Sequence, residues 1–190
     1  MKTPSPDLRL SSAGLVLVPL HAGHLDGMWA AMAESADQLR GTMTWWRDEQ
    51  TKADMAAWTS FCESGWQSGT LYAFSILDPD DGRYLGACSL EGVDRTTLST
   101  NLSYWVRSSC TGRGIASGAT RLLARWGCVE LGLARVEVTM VAANAASIAT
   151  ARKSGATFEG RLRNKARWAE KSYDMMVFSF VPDDFAAAGD

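Results

Sequence analysis

Gly112, Gly114 and Ala116 are the residues of this chain whose types and spacing could do chemistry. They follow an apolar, strand-like run ending at Arg107 and a small polar turn, and they open a helix. Residues this small let backbone N–H groups approach a ligand closely, and the first turn of a helix leaves several of them unpaired. The combination is an anion cradle, most often for phosphate. A P-loop would require Gly-Lys followed by Ser or Thr, and Gly112-Arg113-Gly114-Ile115 supplies no such lysine. A dinucleotide fingerprint requires G-x-G-x-x-G, whereas Gly112, Gly114 and Gly118 are spaced one residue too far. The strand before them is also not the opening of a βαβ unit.

Other reactive side chains point to less. Cys62, Cys88, Cys110 and Cys128 are widely spaced without C-x-x-C pairing, which fits reduced thiols better than a disulfide frame or a zinc site. Cys110 lies beside the glycine turn but has no neighbouring histidine base, so it reads as a small turn residue. With only His21 and His24, a His-rich metal centre is excluded, and no metal is expected. Nineteen basic and twenty-one acidic residues give a net charge of −2, with no general attraction for nucleic acid or membranes. The stretch from Arg161 to Arg167 is a local basic patch. No apolar run approaches a membrane span, and the N-terminus lacks an apolar signal core, so a cytoplasmic protein is expected. Of eight tryptophans, Trp126 falls on a helical apolar stripe. Trp45 and Trp46 sit in a polar, turn-rich setting, where pocket lining and half-buried packing stand equal.

The elements that must position the cradle follow from periodicity. Leu15 to Leu20 reads as a strand, with Pro19 near its end or on an edge. Helical spacing of Leu25, Met28, Trp29 and Met32 predicts a helix over Ala22–Ala36, and a second covers Lys52–Trp66. Leu71–Leu77 reads as a strand, the turn Asp78-Pro-Asp-Asp-Gly82 leads to a hairpin partner over Arg83–Val93, and Asn101–Arg107 follows. Ile115, Ala119, Leu122, Leu123, Trp126 and Val129 form the apolar face of the helix after the glycines. Arg135–Val141 alternates as a strand, a short helix begins at Asn144, and strands over Thr157–Arg161 and Ser172–Phe180 close the chain. Strand runs interrupted by helices favour one mixed α/β domain. It would span residues 1–190, with an arm at 1–12 and a tail at 182–190.

The glycine segment resembles the acyl-CoA pyrophosphate loop of the GNAT superfamily of N-acyltransferases, Q/R-x-x-G-x-G/A. Gly114 and Ala116 match its fourth and sixth positions, and Thr111 replaces its usual Gln or Arg. Tyr104-Trp-Val106, Leu131-Gly-Leu-Ala-Arg-Val136, Asn144-Ala-Ala-Ser-Ile148, Arg152-Lys-Ser-Gly-Ala-Thr-Phe-Glu-Gly160 and Tyr173-Asp174 are similar, in order, to the Rim-type branch, which acetylates the N-terminal amines of ribosomal proteins. The resemblance implies an α/β (α+β) domain: a mixed, mostly antiparallel sheet of about seven strands flanked by four helices, with splayed central strands.

It also implies roles. Pantetheine would lie between the strand ending at Arg107 and that at Arg135–Val141, with the pyrophosphate on N–H groups from Gly112 through Arg113, Gly114 and Ile115 to Ala116. Trp105, Val106 and Arg107 would flank the thioester, an N–H near Val106 polarising its carbonyl. Asn144 would contact pantetheine, though helix capping explains it equally. Ser147 would protonate the departing thiolate. Arg107, Arg113 and Arg152 would reach CoA phosphates, Arg113 having the best claim, and each also reads as a solvated charge. The general base is open: the positions where relatives carry Glu are not acidic here, which leaves Glu91 and Asp174, and Glu91 reads more readily as an exposed strand-end charge than as a base. Trp45, Trp46 and Glu91 would shape the acceptor site. The implied reaction is direct attack of a primary amine on acetyl-CoA in a ternary complex. The acceptor is a protein N-terminus or a small amine or antibiotic; a non-catalytic acyl-CoA-binding module is the rival reading. Family habit suggests a homodimer.

Overall fold

A computed structural model describes residues 4–43, 45–168 and 170–186. The ends of the expected arm and tail, 1–3 and 187–190, lie outside the described residues. Among the described residues eight strands form one sheet in the order β1-β2-β3-β4-β5-β6-β8-β7. They are β1 (Leu10–Ser12), β2 (Leu15–Pro19), β3 (Leu71–Leu77), β4 (Tyr84–Asp94), β5 (Ser99–Val106), β6 (Arg135–Val141), β7 (Thr157–Trp168) and β8 (Lys171–Phe180). All neighbours pair antiparallel except β5 and β6, which are parallel. Five helices flank the sheet: α1 (Leu25–Glu34), α2 (Ala36–Thr42), α3 (Lys52–Ser68), α4 (Ile115–Arg125) and α5 (Ala145–Lys153).

Strand alternation sorts side chains onto two faces with separate cores. On one face Leu102 and Val106 of β5 meet Val136 and Val138 of β6 and the buried stripe Ile115, Ala119 and Leu123 of α4. Trp66 and Trp126 stack there at 6.4 Å, each edge-on to Phe74. On the opposite face Trp105, Leu71 and Ala73 pack under Met28 and Met32 of α1, Leu39 of α2, and Met55 and Cys62 of α3. The helices of this second layer cover β3 and the end of β5. Further along β5 the same face carries polar, half-exposed side chains.

Four details differ from the sequence expectation. Leu10–Ser12 is a strand within the expected arm, and Trp126–Glu130 continues α4 as a π-helical turn. Residues Ala36–Thr42 form α2 after a break at Ser35, so α-helices number five among the described residues. β7 runs on to Trp168 rather than ending at Arg161, making a long exposed hairpin with β8.

Candidate active site

The parallel pair β5–β6 is short. Ser99 to Asn101 register with Arg135 to Glu137, and beyond Asn101 the two strands part. Arg107 N–H donates to Leu85 O at 2.8 Å. Alternation therefore turns the backbone of Trp105 and Ser103 toward β4, and that of Tyr104 and Val106 toward the gap. On the far side Ala142 N–H donates to Asp174 O at 2.9 Å. The same logic turns Thr139 and Val141 away from β8, toward β5. Two strand edges thus face each other with peptide donors and acceptors and no strand between them. An extended ligand carrying amide groups fits such a slot, because buried peptide groups require partners.

The gap opens toward the glycine loop. Gly112 and Gly114 have φ of 74° and 81°, a left-handed geometry that strains other residues, and a Cβ at either would meet no atom within 4 Å. Gly114 caps α4. Among the described residues the amides of Gly112, Arg113, Gly114, Ile115 and Ala116 have no protein acceptor, as an anion cradle requires. The Thr111 hydroxyl donates to Ser108 O at 2.9 Å. Arg113 makes no ion pair among the described residues. Arg113 and Gly114 also line a cavity of about 130 Å³ with Gly14, Leu15, Asp78 and Leu85, on the β2 side of the loop rather than in the gap.

Arg107 is held by Glu34 at the end of α1, Nε to Oε2 at 2.6 Å. Glu34 Oε1 accepts from the Ser109 amide at 3.0 Å and from the Ser108 hydroxyl at 3.3 Å. The Ser35 hydroxyl accepts from the Ser108 amide at 3.0 Å. Glu34 and Ser35 thereby tie α1 to the β5–α4 connection. The bonds from Ser109, then Arg107, hold the Glu34 carboxyl down at about 2. A depressed carboxylate stabilises the fold above its unfolded pKa and loses that contribution as pH falls through the folded value. Glu34→Gln should therefore lower Tm above pH 4.5, the difference shrinking as pH falls toward 2; thermal melts across pH check this. Nothing in the sequence signals these contacts, which span more than seventy residues.

Asn144 caps α5, its Oδ1 accepting from the Ser147 amide at 3.0 Å. The Tyr104 hydroxyl crosses from β5 to donate to Ser147 O at 3.2 Å, so the first turn of α5 is pinned beside the gap. The Ser147 hydroxyl has no partner among the described residues. Arg152 sits in the last turn of α5, exposed and without an ion pair among the described residues.

On the face away from α4, Glu91 and Ser89 of β4 lie opposite Asn101 and Ser103 of β5. Ser89 Oγ donates to Glu91 Oε1 at 2.6 Å, Asn101 Nδ2 to Ser103 Oγ at 3.3 Å, and Thr139 Oγ1 of β6 to Asn101 Oδ1 at 2.9 Å. Asp174, the other candidate base, accepts from the Asn164 amide at 2.8 Å and from Arg161, which hold its carboxyl below the usual range. Trp46 packs against the second core and donates to Asp48 at 3.1 Å, while Trp45 beside it is 44% exposed. All four cysteines are buried free thiols; burial pushes Cys62 up to about 12 and Cys128 to about 11. Among the described residues no group of three or more His, Cys, Asp or Glu could hold a metal, and no helix is long and apolar enough to cross a membrane.

A slot between splayed parallel strands thus opens on an amide-lined helix start. The family model of the acetyltransferase (GNAT) domain matches residues 14–157, and the chain belongs to that family. It is an acetyltransferase, with acetyl-CoA as donor. YdaF of Bacillus subtilis (strain 168), provisionally named a ribosomal N-acetyltransferase, is 28% identical over 82% of this chain and 77% of its own. Among solved structures, RimJ of Mycobacterium smegmatis, in complex with a CoA disulfide, superposes with TM-score 0.83 at 22% identity, over 95% of this chain and 90% of that one. RimL, a ribosomal alpha-N-protein acetyltransferase in complex with coenzyme A, does so with TM-score 0.82 at 18% identity, over 93% and 99%.

Proposed function

We propose that the chain acetylates the N-terminal amine of a protein. The observation that carries this reading is the β5–β6 gap: it meets the free amides of residues 112–116 at one end and opens onto a polar sheet face. The name of RimL, an alpha-N-protein acetyltransferase, supports a protein N-terminus as acceptor, and that of YdaF supports a ribosomal one.

When bound, acetyl-CoA supplies an acyl group activated as a thioester. The amides from Gly112 to Ala116, with Thr111 at the loop's start, bind its pyrophosphate, and Arg113 and Arg152 add positive charge. Tyr104, Val106, Thr139 and Val141 hold pantetheine by their backbones, and Asn144 borders it. Trp105 fixes β5 from below, and Arg107, clamped by Glu34, borders the mouth. Val106 N–H, turned into the gap, is placed to stabilise negative charge on the carbonyl oxygen. The Ser147 hydroxyl donates to the leaving sulfur, and Glu91 takes the amine's proton. Trp45, Trp46 and the β7–β8 hairpin border the acceptor.

The test is release of CoA thiol with a panel of N-terminal peptides and small amines. Turnover with peptides supports the proposal, turnover with small amines alone replaces the acceptor, and CoA binding without release makes the chain a binding module. This reading places the enzyme in the cytoplasm and keeps a homodimer as its expected state, which light scattering would check.

The hairpin sets a preference among peptides. Residues 161–174 carry five cations, Arg161, Arg163, Lys165, Arg167 and Lys171, against Glu170 and Asp174. Asp174 engages Arg161 and Glu170 engages Arg167. Reversing Arg163 and Lys165 to Glu should raise KM for an acidic N-terminal peptide about tenfold at low salt, with KM for acetyl-CoA unchanged.

A further inference from the structure

Glu91 stands at the edge of the polar face rather than in the gap, so a proton leaving an amine at the thioester needs a path to it. On β5, Trp105 is 8% exposed beneath α1–α3. Ser103 is the next residue on that face and the first that is half-exposed. It is flanked by Tyr104, whose backbone faces the slot. Ser103 is therefore the hydroxyl of β5 that stands on the open face one residue from a backbone turned into the slot. Directly across on β4 stands Ser89, 8% exposed, whose hydroxyl already donates to Glu91 Oε1 at 2.6 Å.

We propose that Ser103 and Ser89 form a hydroxyl relay carrying the proton of the attacking amine to Glu91. This rests on the transferase reading above, in which Glu91 is the base.

The hydrogen-bond inventory fits. A serine hydroxyl has one proton and two lone pairs. Ser103 Oγ accepts once, from Asn101 Nδ2, which leaves one lone pair for the amine and its own proton for Ser89. Ser89 spends its proton on Glu91 and keeps both lone pairs among the described residues. Arg107 donates to Leu85, so Ser89 and Ser103, four residues along on each strand and hence in the same phase of the alternation, form one of the hydrogen-bonded pairs of the antiparallel ladder. Their Cα atoms then stand about 5.5 Å apart, within reach for facing hydroxyls. In the transfer the amine N–H bond breaks as a Ser103 O–H bond forms. The Ser103 proton passes to Ser89, and the Ser89 proton passes to Glu91 Oε1. Both serines end as neutral hydroxyls, and the one net change is a neutral carboxyl at Glu91. Thr139 and Asn101 hold Ser103 in place from the β6 side. Ser103 is the catalytic residue of the pair, since it touches the amine; Ser89 is a positioning residue acting through Glu91.

The experiment compares wild type, Ser103→Ala, Ser103→Thr, Ser89→Ala and Glu91→Gln, using the best acceptor from the thiol-release panel. Ser103→Ala and Ser89→Ala should each lower kcat ten- to a hundredfold with KM for acetyl-CoA and calorimetric CoA affinity unchanged. Ser103→Thr, which restores a hydroxyl, should recover most of the rate. Wild-type kcat in mixtures of light and heavy water should curve with deuterium fraction, as several protons in flight require, and become linear in Ser103→Ala. An active wild type whose Ser103→Ala and Ser89→Ala variants keep its kcat would overturn the relay alone. A wild type that binds CoA but releases no thiol would overturn the transferase reading and the relay with it.

Discussion

Replacing Gly114 by Val should raise the Kd for acetyl-CoA by roughly a hundredfold, about 2.7 kcal/mol, while the protein remains folded. Gly114 has φ 81° and stands at the cap of α4, where only glycine is unstrained. A β-branched residue there costs about 1–3 kcal/mol of backbone strain. Beyond its chain neighbours no protein atom lies within 4 Å of the added Cβ, so the branch point itself meets no clash. The binding loss has a separate origin. In the proposed donor site the amides at 112–116 must be approached closely, and a side chain at 114 occupies that approach while shifting the donors around it. Calorimetric titration of CoA measures the loss, and a thermal melt shows that it is not unfolding. Wild-type affinity in a folded Gly114→Val variant would remove the loop from the donor site. The same substitution at Gly82, with φ 72° and equally open surroundings but on the β3–β4 turn, should leave CoA affinity intact.

That loop was legible in sequence because its chemistry is local. Positive φ demands glycine, and α4 shows its buried stripe Ile115, Ala119 and Leu123 at helical spacing. The Asn144 cap is equally local, side chain to backbone three residues on. Helix α2 was hidden because its apolar signal is Leu39 alone, in a polar run that also reads as a turn. The length of β7 was hidden for another reason. Its residues from Arg161 to Lys165 are exposed on both faces, so no apolar alternation marks them, and it is the ladder to β8, formed at Arg161 and Leu162 and again from Ala166 to Trp168, that carries the strand through them. The splay of β5 from β6 follows from register, which no single strand encodes. Glu34 could not be found at all, since its partners Arg107, Ser108 and Ser109 lie more than seventy residues away. Trp45 and Trp46, alike in sequence, divide between an exposed ring and one packed on the core. Ser89 and Ser103 look like ordinary strand polar residues until β4 and β5 are paired.

Gly86→Ala should be among the most destabilising single substitutions in the chain. Gly86 registers with Val106, where β4 holds the end of β5 beside the slot. A Cβ there would stand 2.2 Å from Trp105 O and 2.9 Å from Val106 Cα, and both are backbone atoms that no rotamer change can move aside. The two strands must separate, which costs roughly 3 kcal/mol by analogy with overpacked cores. For a chain of this size that lowers Tm by roughly 6–12 °C. Activity should fall further than stability, because Val106, one of the two displaced residues, is the one whose backbone turns into the gap where the thioester is proposed to lie: a misplacement of 1 Å at such a group costs on the order of a hundredfold in rate. Gly82→Ala serves as the control for backbone conformation alone. Its Cβ meets nothing, so only left-handed strain of about 1 kcal/mol is added. If Gly86→Ala melts no lower than Gly82→Ala and keeps wild-type kcat, the close approach of β4 to β5 is not what sets the position of Val106.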